Sequence, residues 1–308
     1  MEREISETRS GFVALIGAPN VGKSTLINAL VGEKVSIVAR KAQTTRSAVR
    51  GVLTRGGAQI IFVDTPGLFA PKRRLDRAMV AAAWAAAADA DILTLLIDAR
   101  KEAGHSSLTE ETGEILTRVG ETRKPKLLVL NKIDVVERPK LLGLSARLNA
   151  ALPFDETFMV SALTGDGVES LIARLADLSP PGLWLYPEDQ IADAPIRSLA
   201  AEITREKLIE RLHDELPYQA TVETDVWKDL PDGSARVEQT VLVARESHRK
   251  IVIGEGGRTI KAIGTAARKD IAAAHGGNVH LFLHVKVREN WLDDPERYRA
   301  MGLEFPKG

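Results

Sequence analysis

Short apolar segments recur along the first half of the chain, separated by longer segments with helical periodicity. They are 12–17 (FVALIG), 59–64 (QIIFVD), 92–98 (ILTLLID), 126–131 (KLLVLN) and 157–162 (TFMVSA). Each is apolar on nearly every residue, which predicts strands that are buried on both faces. Strands that alternate with helices predict an α/β domain with a doubly wound, mostly parallel sheet.

The rhythm changes after a proline-containing connector at about residues 180–190. The sequence then predicts a helix at 195–215, strands at 220–230 and 235–245 joined by the turn PDGS, a helix ending at Ile253, a glycine turn, a helix at 258–275 and a strand at 278–287. This order, α-β-β-α-α-β, indicates a second, α+β domain. We therefore expect a nucleotide-binding domain at 1–180, a linker at 181–194, the second domain at 195–290 and a tail at 291–308.

Composition narrows the function classes. The 308 residues include no cysteine, which excludes disulfides, thiolate zinc sites and cysteine nucleophiles. The formal net charge is zero, so a nucleic-acid partner has to be argued from a local patch. The N-terminus lacks the apolar core of a signal peptide, and the longest apolar run, 78–88, is too short to span a bilayer. We expect a cytoplasmic protein.

The sequence GAPNVGKS at 17–24 follows the first predicted strand and precedes a helix. In that context the pattern GxxxxGK[ST] is a P-loop, whose backbone N–H groups wrap phosphates at a helix N-terminus. Lys23 would reach the β- and γ-phosphates, and the Ser24 hydroxyl would bind Mg2+.

Three further motifs distinguish GTP from ATP. DTPG (64–67) and NKID (131–134) each end a predicted strand, and SAL (161–163) ends another. Asp134 can accept both N–H groups of the guanine N1 and N2 edge, which adenine lacks, and the Ala162 N–H can contact guanine O6. All motifs fall at carboxyl ends of strands, where open α/β sheets bind ligands.

The predicted GTP/GDP site comprises Gly17, Ala18, Pro19, Asn20, Val21, Gly22, Lys23, Ser24, Thr25, Asp64, Thr65, Pro66, Gly67, Leu68, Asn131, Lys132, Ile133, Asp134, Ser161, Ala162 and Leu163. The predicted Mg2+ ligands are Ser24, Thr45 and Asp64.

Residues 41–47 (KAQTTRS) form a polar segment without clear periodicity between the P-loop and DTPG. We expect Thr45, with Thr44 as the alternative, to close on Mg2+ and the γ-phosphate, and assign Gln43, Thr44, Thr45 and Arg46 to a switch. The candidate switch segments are 35–50 and 68–80, since such loops are ordered by γ-phosphate and released on hydrolysis.

Leu68 stands where Ras-like GTPases carry a glutamine that orients the attacking water. Leucine has no polar group, so we expect slow intrinsic turnover. One hypothesis is that Asn20 helps to hold a monovalent cation, K+, that supplies positive charge; the alternative is that its side chain caps the loop.

The chain resembles the Era family of bacterial ribosome-associated GTPases in GAPNVGKST, KAQTTR, VDTPGL, NKID, SAL, YPEDQIAD, REKLIERLHDELPY, VIGEGGRTIKAIGTAARKD and NWLDDPERYRAMG. The resemblance implies that the second domain is a type II KH domain that binds 16S ribosomal RNA near its 3′ end. It further implies a role in 30S subunit biogenesis, coupled to cell growth and division, and peripheral association with the inner membrane. We expect a monomer and no DNA partner.

The segment KIVIGEGGRTIK at 250–261 fits an RNA clamp, because a GxxG loop between two helices can hold a single-stranded backbone. The surrounding chain is rich in basic residues, although Glu255 places a negative charge inside the loop, so binding would depend on backbone N–H groups and on the cations beside it. The predicted RNA site comprises Lys250, Ile253, Gly254, Glu255, Gly256, Gly257, Arg258 and Lys261. The alternative functions for the whole protein are a GTPase of the tRNA-modification or transport type, and an RNA-binding factor with a vestigial GTPase.

Overall fold

The computed structural model describes residues 8–39, 49–193, 195–213 and 216–306. These residues form two units, the first containing 8–36, 49–193 and 301–306 and the second containing 37–39, 195–213 and 216–300. The predicted switch residues Gln43, Thr44, Thr45 and Arg46 lie outside the described residues.

The apolar segments predicted as strands all lie in one six-stranded sheet of the first unit, with the strand order β2-β3-β1-β4-β5-β6. Its strands are β1 (Arg9–Ile16), β2 (Val49–Arg55), β3 (Ala58–Asp64), β4 (Ile92–Asp98), β5 (Lys126–Asn131) and β6 (Glu156–Val160). Only β2 runs antiparallel to its neighbour, and the other pairs are parallel. The predicted doubly wound, mostly parallel sheet is confirmed.

Helices separate these strands as the periodicity predicted. They are α1 (Lys23–Val31), α2 (Arg74–Asp89), α3 (Ala99–Glu102), α4 (Glu110–Gly120), α5 (Arg138–Ala151) and α6 (Val168–Leu178). The central strands are buried along almost their whole length, as in β3, where all seven residues are buried. Continuous burial explains why these strands are apolar on consecutive residues rather than on alternate ones.

Strand β2 was not predicted from the sequence, and the predicted switch segment 35–50 overlapped its start. Its sequence, VRGVLTR, has only two buried residues and two exposed arginines. Because β2 is the last strand of the sheet and most of its residues are only partly buried or exposed, it lacks the continuous apolar run that identified the others.

The connector that precedes the second domain, residues 180–193, runs along this edge. Val52 N–H donates to Ile191 O at 2.9 Å, and Asp193 N–H donates to Arg50 O at 3.1 Å. Farther along, the fully buried Gln59 accepts hydrogen bonds from the Leu185 and Tyr186 N–H groups at its Oε1 and donates through Nε2 to Tyr186 O. The Gln59 side chain therefore provides backbone hydrogen bonds to Leu185 and Tyr186 that a neighbouring strand would otherwise provide.

The second unit has the predicted order α-β-β-α-α-β. Its elements are α7 (Ile196–Arg211), β7 (Ala220–Asp229), β8 (Ala235–Val243), α8 (Glu246–Ile253), α9 (Arg258–His275), β9 (Val279–Val287) and α10 (Pro295–Ala300). Strand β8 is central, antiparallel to β7 and parallel to β9. On α9, Ile263, Ala267 and Ile271 are fully buried and form the apolar stripe of an amphipathic helix.

Candidate functional site

The four predicted nucleotide motifs meet at the carboxyl edge of the first sheet. The P-loop connects β1 to α1, while DTPG, NKID and SAL follow β3, β5 and β6. Among the predicted residues, Gly17, Ala18, Val21, Lys23, Asp64, Thr65, Pro66, Gly67, Leu68, Asn131, Ser161 and Ala162 are buried, Pro19, Gly22, Ser24, Thr25, Lys132 and Ile133 are partly buried, and Asn20, Asp134 and Leu163 are exposed.

Asn131 joins three of the motifs. Its Nδ2 donates to Val21 O at 2.8 Å, and its Oδ1 accepts from the Ala162 N–H at 3.0 Å and the Lys132 N–H at 2.9 Å. A Cβ on Gly22, which has φ 98°, would lie 2.3 Å from Nδ2, so this close approach requires glycine. The Ala162 N–H, which the sequence assigned to guanine O6, donates in this structure to Asn131 Oδ1. This bond gives the buried N–H group the partner that it requires.

Lys23 folds back onto the P-loop. Its Nζ donates to Gly17 O and Ala18 O at 3.0 Å each, and only 7% of the residue is exposed. Burial lowers the pKa of Lys23 from 10.5 to about 8, and the charge of Asp64 opposes that shift. A phosphate group beside this ammonium would favour its charged form.

Asp64 is held by two serine hydroxyls. Its Oδ2 accepts from Ser24 Oγ at 2.8 Å and from Ser36 Oγ at 2.6 Å, and the residue is fully buried. Hydroxyl and carboxylate oxygens are the hard ligands that Mg2+ prefers, so Ser24 and Asp64 fit the predicted metal site. Ser36 was missed; its only sequence signal was its position inside the predicted switch segment 35–50.

The DTPG loop packs directly on the P-loop. Leu68 N–H donates to Gly17 O at 3.0 Å, and a Cβ on Gly67 would lie 2.9 Å from Pro19 N. The Leu68 side chain is only 2% exposed and belongs to the hydrophobic core of the first unit. Its role in this structure is packing.

The GEGG turn lies between α8 and α9, as predicted, and three of its residues have positive φ. The values are 72° for Gly254, 59° for Gly256 and 75° for Gly257. The N–H groups of Gly254 and Gly257 are already engaged by Lys250 O and Gly254 O. These two backbone donors therefore serve the turn itself.

Glu255 and Arg258 form an ion pair across the turn, and both side chains are mostly exposed. Arg258, which was predicted to bind phosphate, is thus paired with Glu255, the acidic residue inside the loop. Lys250 and Lys261 are exposed beside the turn, and Arg268 and Lys269 are exposed farther along α9, whereas Ile253 is partly buried.

None of the helices in the described ranges combines the length and apolarity needed to cross a bilayer.

Models of known families match both parts of the chain. The family described as a 50S ribosome-binding GTPase matches residues 12–132, and the KH domain family matches residues 215–292. These matches cover the P-loop, the DTPG motif and the GEGG turn.

Curated relatives match nearly the whole chain. GTPase Era of Afipia carboxidovorans is 62% identical over 306 residues, covering 99% of this chain and 98% of its own, and GTPase Era of Bradyrhizobium diazoefficiens is 60% identical over 300 residues, covering 97% and 96%. A solved structure of Era with MgGDPNP and nucleotides 1506–1542 of 16S ribosomal RNA is 37% identical, with a TM-score of 0.89 over 96% of this chain and 99% of that one. A variant of Aquifex aeolicus Era bound to GDP.AlF4- gives the same values.

Proposed function

Because the chain belongs to the Era family of GTPases, we propose that it is a GTP-hydrolysing switch that binds the small ribosomal subunit RNA near its 3′ end and acts in 30S subunit biogenesis. The observation that supports GTP binding is the set of hydrogen bonds by which the Asn131 side chain joins the P-loop, NKID and SAL. We also propose the functional division into 1–180, 181–194, 195–290 and 291–308.

The protein uses GTP and GDP with Mg2+. Mg2+, when bound, would neutralise charge that develops during phosphoryl transfer. In the proposal Ser24 and Asp64 hold the metal together with Thr45, Lys23 pairs with the phosphates, and Asp134, exposed beside Lys132, reads the base.

The base-reading role of Asp134 has a direct test. Replacing Asp134→Asn turns one acceptor of the carboxylate into a donor, which should abolish GTP binding and create binding of xanthosine triphosphate, whose base offers an acceptor there. Fluorescent nucleotide titration measures both. A variant that still prefers GTP would contradict the assignment.

The same proposal includes slow intrinsic hydrolysis. Leu68 is buried in the core and has no group that could orient water. We therefore expect Leu68→Gln to lower the melting temperature without raising the single-turnover rate, since the amide would enter an apolar site. A rate increase of an order of magnitude would show that Leu68 limits turnover.

A monovalent cation at Asn20 is also part of the proposal. Asn20 is exposed and has φ 64°, a conformation that asparagine tolerates better than most residues, so the loop geometry by itself also explains this residue type. Equal GTPase rates in K+ and Na+, unchanged by Asn20→Asp, would remove the cation from the mechanism.

RNA binding is supported by the second unit. The GEGG turn lies at the N-terminus of an 18-residue helix, with exposed Lys250 and Lys261 beside it and exposed Arg268 farther along the helix. A helix N-terminus and flanking cations favour a phosphate backbone. The solved Era structure with 16S ribosomal RNA, 37% identical over 96% of this chain, makes nucleotides 1506–1542 of that RNA the first ligand to test.

Two observations support coupling between nucleotide state and RNA binding. Strand β2, whose start overlaps the switch segment 35–50, pairs with connector residues 191–193. Ile37, from the start of that segment, is buried in a cluster with Ala200 and Ile203 of α7, and the Val38 N–H donates to Glu206 Oε1 at 2.7 Å. Closure of the switch would therefore change contacts of both the connector and α7.

The decisive experiment is a pair of binding curves for a single-stranded oligonucleotide of the ribosomal 3′ end, one with GDP and one with a GTP analogue. We expect different affinities. Equal affinities would leave two independent activities and refute the switch. A monomeric state and peripheral membrane association belong to the same proposal and are checked by light scattering and by vesicle co-sedimentation.

A further inference from the structure

Asp98, the last residue of β4, belongs to none of the four nucleotide motifs, yet it contacts one of them. Its Oδ2 accepts a hydrogen bond from Lys132 Nζ at 2.6 Å, and the same Nζ donates to Asn20 O at 2.7 Å. A single ammonium group therefore connects the P-loop, the NKID loop and the end of β4.

The two loop residues that this ammonium connects to β4 both have unusual backbones. Asn20 has φ 64° and Lys132 has φ 69°, and these are two of the three non-glycine residues with positive φ among those the structure describes. Such conformations cost free energy and persist only where surrounding contacts hold them. The contacts of Lys132 Nζ are placed to hold both loops in this form.

The Asp98 carboxylate is itself fixed. Its other oxygen, Oδ1, accepts from the Lys101 N–H at 3.2 Å and caps the short helix α3, while the Lys101 ammonium is engaged by Glu111. The Asp98 side chain is 16% exposed, compared with 34% for Lys132. Asp98 is thus the less exposed partner, and its second hydrogen bond orients the carboxylate that receives Lys132.

We propose that Asp98 is a positioning residue of the guanine site. It holds Lys132, and through Lys132 the P-loop at Asn20, in the arrangement that receives the base beside Asp134, so that nucleotide binding does not have to reorganise these loops. The inference depends on the proposed GTPase function and adds a residue that none of the motifs contains.

Asp98→Asn separates the two roles of the carboxylate. Asparagine keeps an oxygen for the α3 cap, because it is as good an N-cap residue as aspartate, but it loses the charge that holds Lys132. We expect dissociation of a fluorescent GDP to become about tenfold faster. Asp98→Glu, which keeps the charge, should recover part of the loss.

A double-mutant cycle distinguishes positioning from general destabilisation. Lys132→Met removes the pair without touching the α3 cap, and Asp98→Asn should then add nothing to its effect on dissociation. Glu137→Gln, which removes an exposed ion pair with Lys140, is the matched control and should leave dissociation unchanged.

Full acceleration by Asp98→Asn in the Lys132→Met background, or none in the wild type, would overturn the inference. A wild-type protein that binds no guanine nucleotide would instead refute the proposed function. The melting temperature of each variant shows whether it is folded, and if Asp98→Asn is not, the comparison of Asp98→Glu with Lys132→Met decides the question.

Discussion

The three glycines of the GEGG turn differ in what they can tolerate, and this gives the sharpest prediction for RNA binding. Gly254 has φ 72° and ψ 171°, a region that is essentially restricted to glycine. A Cβ at this position would also lie 2.8 Å from Thr259 Cβ and 2.9 Å from Thr259 N, in the first turn of α9. Gly256 has φ 59° and ψ 22°, and a Cβ there would meet nothing within 4 Å.

The costs follow from these geometries. Gly256→Ala pays only the left-handed conformation, about 1 kcal/mol. Gly254→Ala costs about 1–3 kcal/mol for its backbone region and, in addition, must displace the backbone of α9, so the turn is expected to rearrange at a total cost above about 3 kcal/mol. If RNA requires the present turn, affinity falls more than about a hundredfold for Gly254→Ala, because the rearranged turn must be restored on binding, and changes little for Gly256→Ala, which keeps the turn.

Fluorescence anisotropy with a labelled single-stranded oligonucleotide of the 16S 3′ end measures both affinities. Gly256→Ala is the matched control, because it makes the same chemical change two residues away. GTP binding should be unaltered in both variants, since the P-loop lies in the other unit. Equal RNA affinities for the two variants, with circular dichroism showing intact folds, would refute the claim that RNA reads the geometry of this turn.

Because the pKa of Lys23 is lowered to about 8, the unfolded chain binds more protons than the folded one between pH 8 and 10.5, so this group makes stability rise with pH in that window. Phosphate favours the protonated form of Lys23, so GDP binding should take up a proton, and GDP affinity should fall about fourfold between about pH 7 and 8.5. Calorimetry in two buffers of different ionisation enthalpy measures the proton uptake. A binding heat that is the same in both buffers would contradict this prediction. Glu255→Lys should tighten RNA binding and steepen its salt dependence, because it adds a cation and releases Arg258 from its ion pair. The control Glu255→Gln only releases Arg258 and should give a smaller gain in affinity. RNA affinity measured at several salt concentrations tests this, and unchanged binding would mean that the side chains of the turn face away from phosphate. Gln59→Leu should lower the free energy of unfolding by about 2–3 kcal/mol, because three partly buried hydrogen bonds to residues 185 and 186 are lost. It should also expose the connector to chymotrypsin, which cleaves after leucine and aromatic residues such as those at 183–185. Denaturant titration and limited proteolysis test both effects, and an equally protected connector would show that the β2 pairing suffices.

Much of the site was predictable because its residues are close together in sequence. The P-loop, DTPG, NKID and SAL each follow an apolar strand, and parallel strands bring their carboxyl ends to one edge. The same reasoning located the GEGG turn between two helices. Edge strand β2 escaped because its burial is partial and its apolar pattern is correspondingly weak.

The sequence by itself therefore determined the fold class, the order of elements and the chemistry of each loop, since these depend on periodicity and on residues only a few positions apart. Only the tertiary structure decided which side chains complete the site. Ser36 on Asp64, Asp98 on Lys132 and Gln59 on the connector join positions between 28 and 127 residues apart. No local pattern specifies such pairs, because they form only when the sheet places the ends of different strands side by side.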